Sequence, residues 1–214
     1  MASRSANTPN RRHFLRIGLT TGIALMTGLP ATAQENEMPA QLRQALEREE
    51  LGAVLGNPSG DITLTEFFDY NCPHCRSMVG DLHQVIAGDP NLRVVLREWP
   101  VFGAGSLYCA RASLASLRQG RFWQFHTALL GIEGAADDKS AMRVAAEVGL
   151  DIPRLRADME DVAIARQIEH SWLLAEQMGL VGTPSLIVGN FGGFGRQSRD
   201  QMHEMIAEAR RSRA

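Results

Sequence analysis

Cys72-Pro73-His74-Cys75 constrains this chain more than any other feature, because it follows directly on a strand-like run and opens a segment of helical periodicity. Ile62-Thr63-Leu64-Thr65-Glu66-Phe67-Phe68 is β-branched and aromatic enough for a central strand. Met78, Leu82, Val85 and Ile86 then recur on one face of a helix expected between Pro73 and Ala87. A thiol at a helix N-terminus meets unpaired backbone N–H groups and the positive end of the macrodipole, and both pull its pKa below the free value of about 8.5. A spacing of three places the second thiol one turn further on the same face, within reach of a disulfide. Cys72 is therefore expected to be the exposed nucleophile and Cys75 the more buried resolving thiol. Pro73 and His74 complete the motif, and His74 can add positive charge or a hydrogen bond to the thiolate. A stabilised thiolate makes the disulfide a better oxidant, since about 30 mV corresponds to about 1.4 kcal/mol for this two-electron couple.

Other uses of the motif meet specific obstacles. A structural zinc site wants four ligands, typically from two such pairs, and there is no second pair; Cys109 and His83 would have to be recruited by chance. A c-type haem needs His directly after the second cysteine, where Arg76 stands. A purely structural disulfide stays open, although so short a loop is strained and labile. No cofactor and no metal is expected.

With 214 residues and three cysteines the chain is long enough for one or two domains with a real core, and it is not a small disulfide-stapled scaffold. The first 33 residues hold four arginines (Arg4, Arg11, Arg12, Arg16) and no acid. Asn10-Arg11-Arg12-His13-Phe14-Leu15-Arg16 looks like a twin-arginine export motif. An apolar stretch from Ile17 to Leu29 follows, and Ala31-Thr32-Ala33 offers a cleavage pattern. That stretch is shorter than the roughly 20 residues a membrane-crossing helix needs. Without those four arginines the 22 basic residues fall to 18 against 24 acidic ones, a formal charge of −6, which gives no reason to expect nucleic acid as a partner. Export to an oxidising compartment, the periplasm, makes an odd cysteine unusual: it is either buried or paired between molecules.

The rest of the chain reads as elements in a definite order. Met38–Leu51 has helical spacing and is expected as a solvated N-terminal helix, and Val54-Leu55 as a short edge strand. Leu92–Glu98 is a second core strand, and the strand–helix–strand order favours a parallel, right-handed unit. From Ser106 to Met178 the texture is helical. Leu107, Ala110, Leu114 and Leu117 mark one face; Phe122, Phe125 and Leu129 mark another. Asp137 or Asp138 can cap a third helix, and Asp151 a longer fourth one. Ser185–Val188 is a short apolar strand, Phe191-Gly192-Gly193-Phe194 a turn into another, and Ser198 with Gln201 a capping box for a last helix facing inward through Met202, Met205 and Ile206. The Thr183-Pro184 pair stands at the start of that strand, where proline costs no ladder hydrogen bond.

Taken together, Phe67-Phe68-Asp69-Tyr70-Asn71-Cys72-Pro73-His74-Cys75, Glu98-Trp99-Pro100-Val101-Phe102-Gly103 with Ala110-Arg111-Ala112, Phe125-His126 and Gly182-Thr183-Pro184-Ser185 resemble the DsbA-like class of thioredoxin-fold proteins, disulfide oxidoreductases of the bacterial cell envelope. The resemblance implies an α/β chain: a thioredoxin fold with a central mixed sheet and an inserted all-helical subdomain. It divides the chain into a signal peptide (1–33), an N-terminal helix and extension (34–56), the first half of the core (57–103), the helical insertion (104–178) and the second half of the core (179–214). It further implies that Pro184 is cis and packs opposite the cysteine pair, that Thr183 offers backbone hydrogen bonds to a client's cysteine, and that Glu66 is a buried carboxyl beneath the pair. Sharing its strand face with Ile62, Leu64 and Phe68, Glu66 should have a raised pKa and relay a proton to or from Cys75; a slipped strand would instead leave it exposed at an edge.

The implied activity is disulfide exchange with reduced or misfolded exported proteins, most simply as an oxidase. A membrane redox partner, either a quinone-linked oxidase or a thiol reductase, would reset the pair. Thr183 and residues 38–51 keep an isomerase or reductase in view, since N-terminal extensions in this class can carry homo-oligomers. A non-catalytic envelope chaperone or metal-binding protein is the alternative from another class. Cys109 departs from the class pattern and reads as a buried, inert thiol beside Leu107 and Ala110. His83, His126, His170 and His203 read as structural or surface residues, and Trp99 and Phe102 as candidates for an exposed client-binding surface.

Overall fold

The computed structural model describes residues 38–47 and 52–213. The expected signal segment, 1–33, and the last four residues of the expected N-terminal helix, 48–51, lie outside them.

Five strands form one mixed sheet: β1 (Ala53–Gly56), β2 (Ile62–Phe68), β3 (Leu92–Glu98), β4 (Ser185–Val188) and β5 (Phe191–Phe194), in the order β1-β3-β2-β4-β5. β2 and β3 run parallel, with Ile62 opposite Leu92 and Phe68 opposite Glu98; the remaining pairs are antiparallel. The parallel pair is joined by α2 (Pro73–Gly88), as the strand–helix–strand order requires. All seven residues of β2 are buried because helices cover both sheet faces. On one face Ile62, Leu64 and Phe68 pack with Met78, Leu82 and Val85 of α2 and with Met202, Ile206 and Ala209 of α8 (Arg199–Arg211). On the other, Phe67 and Ile187 pack with Leu46 of α1 (Ala40–Glu47) and Leu174 of α7 (Val162–Gln177).

Between β3 and β4 the chain forms α3 (Ala104–Leu117), α4 (Phe122–Leu130), α5 (Asp138–Glu147), α6 (Ile152–Met159) and α7. Asp137 and Ser140 make a capping box for α5, and Ser198 with Gln201 makes one for α8, as their spacing indicates.

Four expectations need correction. The long fourth helix after Asp151 is two helices: Glu160 ends α6, and the Asp161 carboxylate accepts from Ala163 N to start α7. Leu107 does not face inward but is 37% exposed; α3 turns its small residues, among them Ser106, Ala110, Ala112 and Ser113, to the interior instead. Phe191–Phe194 is itself strand β5, and the turn falls at Gly189-Asn190, where Gly189 has φ +59° and Ala209 Cβ would crowd a side chain. The N-terminal helix is solvated on one side only. Leu46 is buried, and the carbonyls of Ala45 and Leu46 accept from the Arg97 guanidinium, which is 1% exposed (Nη2 to Leu46 O 2.9 Å).

Candidate active site

β2 delivers the chain to a three-residue link, Asp69-Tyr70-Asn71, from which Cys72 emerges as the N-cap of α2 with Pro73 in its first turn. Proline there supplies a helical φ and lacks the N–H that would have no intrahelical partner. The link is held from several sides. Asp69 Oδ1 accepts from Asn71 N (2.7 Å) and Ser106 Oγ (2.6 Å), and its Oδ2 accepts from Phe102 N (3.0 Å). Asn71 exchanges two hydrogen bonds with the backbone of Ala136. Arg76 Nε donates to Tyr70 O (2.7 Å), and its Nη1 to Gly134 O (2.7 Å). The start of the cysteine helix is thus tied to the α4–α5 loop of the helical insertion.

The two thiols differ sharply. Cys72 is pulled down to about 5, most strongly by a hydrogen bond from Cys75, then by Thr183 and by the backbone amides of Cys75 and His74, while burial opposes the shift. Cys75 is pushed far up, first by burial, then by its bond to Cys72 and by the Glu66 carboxyl. As a thiol, Cys72 Sγ donates to Thr183 O (3.1 Å). The Thr183 hydroxyl is buried and otherwise without a partner, so it is placed to donate to the thiolate that replaces that thiol. The Thr183-Pro184 bond is cis and Pro184 is buried, so the expected pairing of cis-proline and cysteine helix is present in the fold.

Cys72 departs from expectation in exposure: it is 2% exposed, covered by the Thr183-Pro184 loop and by Cys75. His74 is exposed, and its backbone amide rather than its ring acts on Cys72. Glu66 lies in the interior of β2, 5% exposed, with its carboxyl raised to about 8 by burial and by the charge of Cys72.

A second polar cluster escaped the sequence. Tyr70 OH donates to Ser113 Oγ (2.6 Å), lies 2.9 Å from His126 Nδ1 and reaches Glu98 Oε1 at 3.5 Å. His126 is lowered to about 3 by burial, and Glu98 is raised well above the carboxylate range by the same cause. These four residues come from a link, a strand end and two helices; Tyr70, Glu98 and His126 each stand in a separate quoted motif, but nothing in the sequence joins them to one another or to Ser113. Cys109 is fully buried, its thiol pushed up to about 12 and its Sγ 3.7 Å from Asp137 O. Among the described residues no group of three His, Cys, Asp or Glu is placed to hold a metal.

A five-stranded mixed sheet in which a Cys-x-x-Cys helix faces a cis-proline loop is the thioredoxin-like arrangement. The chain belongs to the family of DSBA-like thioredoxin domains, whose model matches residues 63–207. It is similar to a thioredoxin-like oxidoreductase from Silicibacter pomeroyi DSS-3, with 42% identity and a TM-score of 0.77 over 79% of this chain and 98% of that one. It is also similar to the thiol-disulfide exchange protein alpha-DsbA2 from Wolbachia pipientis, with 27% identity and a TM-score of 0.73 over 78% of this chain and 91% of that one. A further relative, the Na(+)/H(+) antiporter NhaA of Herminiimonas arsenicoxydans, is 31% identical over 163 residues, which are 74% of this chain and 26% of that protein. The chain spans about a quarter of the length of the curated relatives it matches. Among the described residues no helix is long and apolar enough to cross a membrane.

Proposed function

We propose that this protein is an exported thiol:disulfide oxidoreductase that donates disulfides to client proteins. The observation that carries the reading is the placement of Cys72 at the N-terminus of α2, with its Sγ 3.1 Å from Thr183 O on the cis-proline loop and Cys75 buried behind it; these surroundings draw the Cys72 thiol down and push the Cys75 thiol up. A client thiolate attacks Sγ of Cys72 in the oxidised pair, the Cys72–Cys75 bond breaks, and Cys75 leaves. Its high proton affinity makes it take up a proton, for which the buried Glu66 carboxyl, raised to about 8, is the donor in this reading. A second client thiolate then attacks the client sulfur of the mixed disulfide and expels Cys72, a good leaving group because its thiolate is stable. The client ends oxidised by two electrons and the pair reduced. A disulfide- or quinone-bearing membrane partner would restore it.

Membership of a disulfide-exchange family and the likeness to a named exchange protein support this chemistry. Residues 1–33 support delivery to the periplasm by the twin-arginine route. Self-association through residues 38–51 would have to use the exposed positions of α1, such as Gln41 and Gln44, because Leu46 is spent on the core.

The reduction potential of the Cys72/Cys75 pair tests the direction of flow. A value near about −120 mV fits donation, and one near about −270 mV rejects it in favour of an isomerase or reductase. A Cys75→Ala variant whose Cys72 is first loaded as a mixed disulfide with glutathione should pass to a mixed disulfide with a reduced, unfolded client as the client thiolate attacks Cys72 Sγ and expels glutathione; trapping no client speaks for a non-catalytic binding role.

A further inference from the structure

Cys75 is the leaving group when a client thiolate attacks Cys72: the client–Cys72 bond forms, the Cys72–Cys75 bond breaks, and the negative charge passes to a residue that is 1% exposed. Burial opposes that charge most strongly, and the Glu66 carboxyl adds to the opposition. The backbone N–H of Asp69 acts the other way by donating to the Cys75 sulfur. The carbonyl of the same residue accepts from Cys72 N (3.1 Å). Asp69 thus touches both cysteines through its main chain. A donor stabilises a developing anion best when it is already aimed, because nothing then reorganises during the reaction.

Strand pairing does not aim this N–H. The parallel ladder ends at Phe68 and Glu98, and Asp69 is the first residue beyond it. The Asp69 side chain supplies the restraint instead. It is buried and accepts from Asn71 N (2.7 Å) and Ser106 Oγ (2.6 Å) at Oδ1 and from Phe102 N (3.0 Å) at Oδ2. Asn71 Nδ2 donates in turn to Ser106 Oγ (2.9 Å), which closes a ring of hydrogen bonds through Asn71, Asp69 and Ser106. Ser106 lies in the first turn of α3 and Phe102 in the chain before it, so the hold on Asp69 comes from outside the cysteine motif. A carboxylate near the leaving thiolate also repels the charge it helps to place. Its electrostatic and positioning effects therefore have opposite signs.

We propose that Asp69 is a positioning residue for the opening of the disulfide: its carboxylate, locked by Ser106 and Phe102, aims its own backbone N–H at Cys75 as that sulfur leaves. The inference rests on the exchange chemistry proposed above, and its test separates the two. Exchange has two halves that expel different sulfurs. Opening of the oxidised pair by glutathione expels Cys75. In a Cys75→Ala background, a second glutathione that attacks the glutathione sulfur of the Cys72 mixed disulfide expels Cys72. Ser106→Ala removes the 2.6 Å bond to Oδ1 without changing the charge. It should slow the opening about five- to tenfold and change the release from Cys72 by less than about twofold.

Asp69→Asn should also slow the opening, by about fivefold, although loss of a nearby negative charge would by itself speed it. The thiolate absorbance step of Cys72 in reduced Ser106→Ala should stay at its wild-type pH, because the donors to Cys72 are Cys75, Thr183 and the His74 and Cys75 amides. All rates are read at a temperature where the circular dichroism of the variants matches that of the wild type. Equal slowing of both halves marks a general loosening of the site and overturns the role. An unchanged opening rate in Ser106→Ala, or a faster one in Asp69→Asn, overturns it as well. A wild-type pair that opens to glutathione with the expected split, but transfers nothing to a reduced client, retains the positioning role and overturns the donation reading instead.

Discussion

At the residue scale the two ends of the Cys-x-x-Cys motif are driven apart by what surrounds them rather than by chemical difference. Cys72 collects hydrogen bonds from Cys75, Thr183 and two backbone amides, whereas Cys75 is buried over the Glu66 carboxyl. The reduced protein should therefore show a thiolate absorbance step near pH 5, absent from Cys72→Ser. The sign of the linkage follows: Cys72 ionises near 5 when folded and near 9.0 when unfolded, so its stabilisation of the reduced form is complete above about 9 and is lost as pH falls to about 5. The Tm of the reduced protein should rise relative to that of the oxidised protein between pH 5 and pH 7. Glu66 acts in the opposite sense. Raised from 4.5 to about 8, it contributes fully below about 4.5, and its contribution is lost as pH rises through 8. Glu66→Gln should remove that loss, making the variant relatively more stable at pH 8 than at pH 4, and should slow client oxidation near neutral pH by roughly ten- to hundredfold.

At the scale of elements, α1 is part of the core despite its charged sequence. Leu46 reaches Phe67, Leu174 and Ile187, and its carbonyl caps the buried Arg97. Leu46→Ala should cost about 2–4 kcal/mol, read as a lowered denaturation midpoint with an unchanged slope. The sequence already shows β2, β3, α2 and α8, because their apolar runs, N1 proline and capping box are local signals. It hides the depth of α1, since the partner that buries it, Arg97, lies 51 positions away and looks like a strand-surface charge. The break between α6 and α7 is marked only by Asp161, with no Gly or Pro to announce it, so helical periodicity runs across it. Within the site, the cysteines, Thr183, Pro184 and Glu66 can be read from short motifs. The Tyr70–Glu98–Ser113–His126 cluster cannot, because its members are up to 56 positions apart and become neighbours only when α3 and α4 dock on the sheet.

At the scale of the whole molecule, the helical insertion is bonded to the cysteine helix and not merely placed beside it. Arg76 and Asn71 reach the carbonyls of Gly134 and Ala136, so the α4–α5 loop and the N-terminus of α2 share their hydrogen bonds. Arg76→Ala should speed amide exchange at Ala136, whose N–H is held by Asn71, more than at residues of β4, which the clamp does not touch. The same insertion closes over Cys109. A thiol held near 12 is ionised in only on the order of 10⁻⁵ of molecules at pH 7. Because only the thiolate attacks a disulfide, the proposed exchange between Cys72 and clients would leave this third sulfur deaf to the traffic, and the odd cysteine count would create no route to self-poisoning.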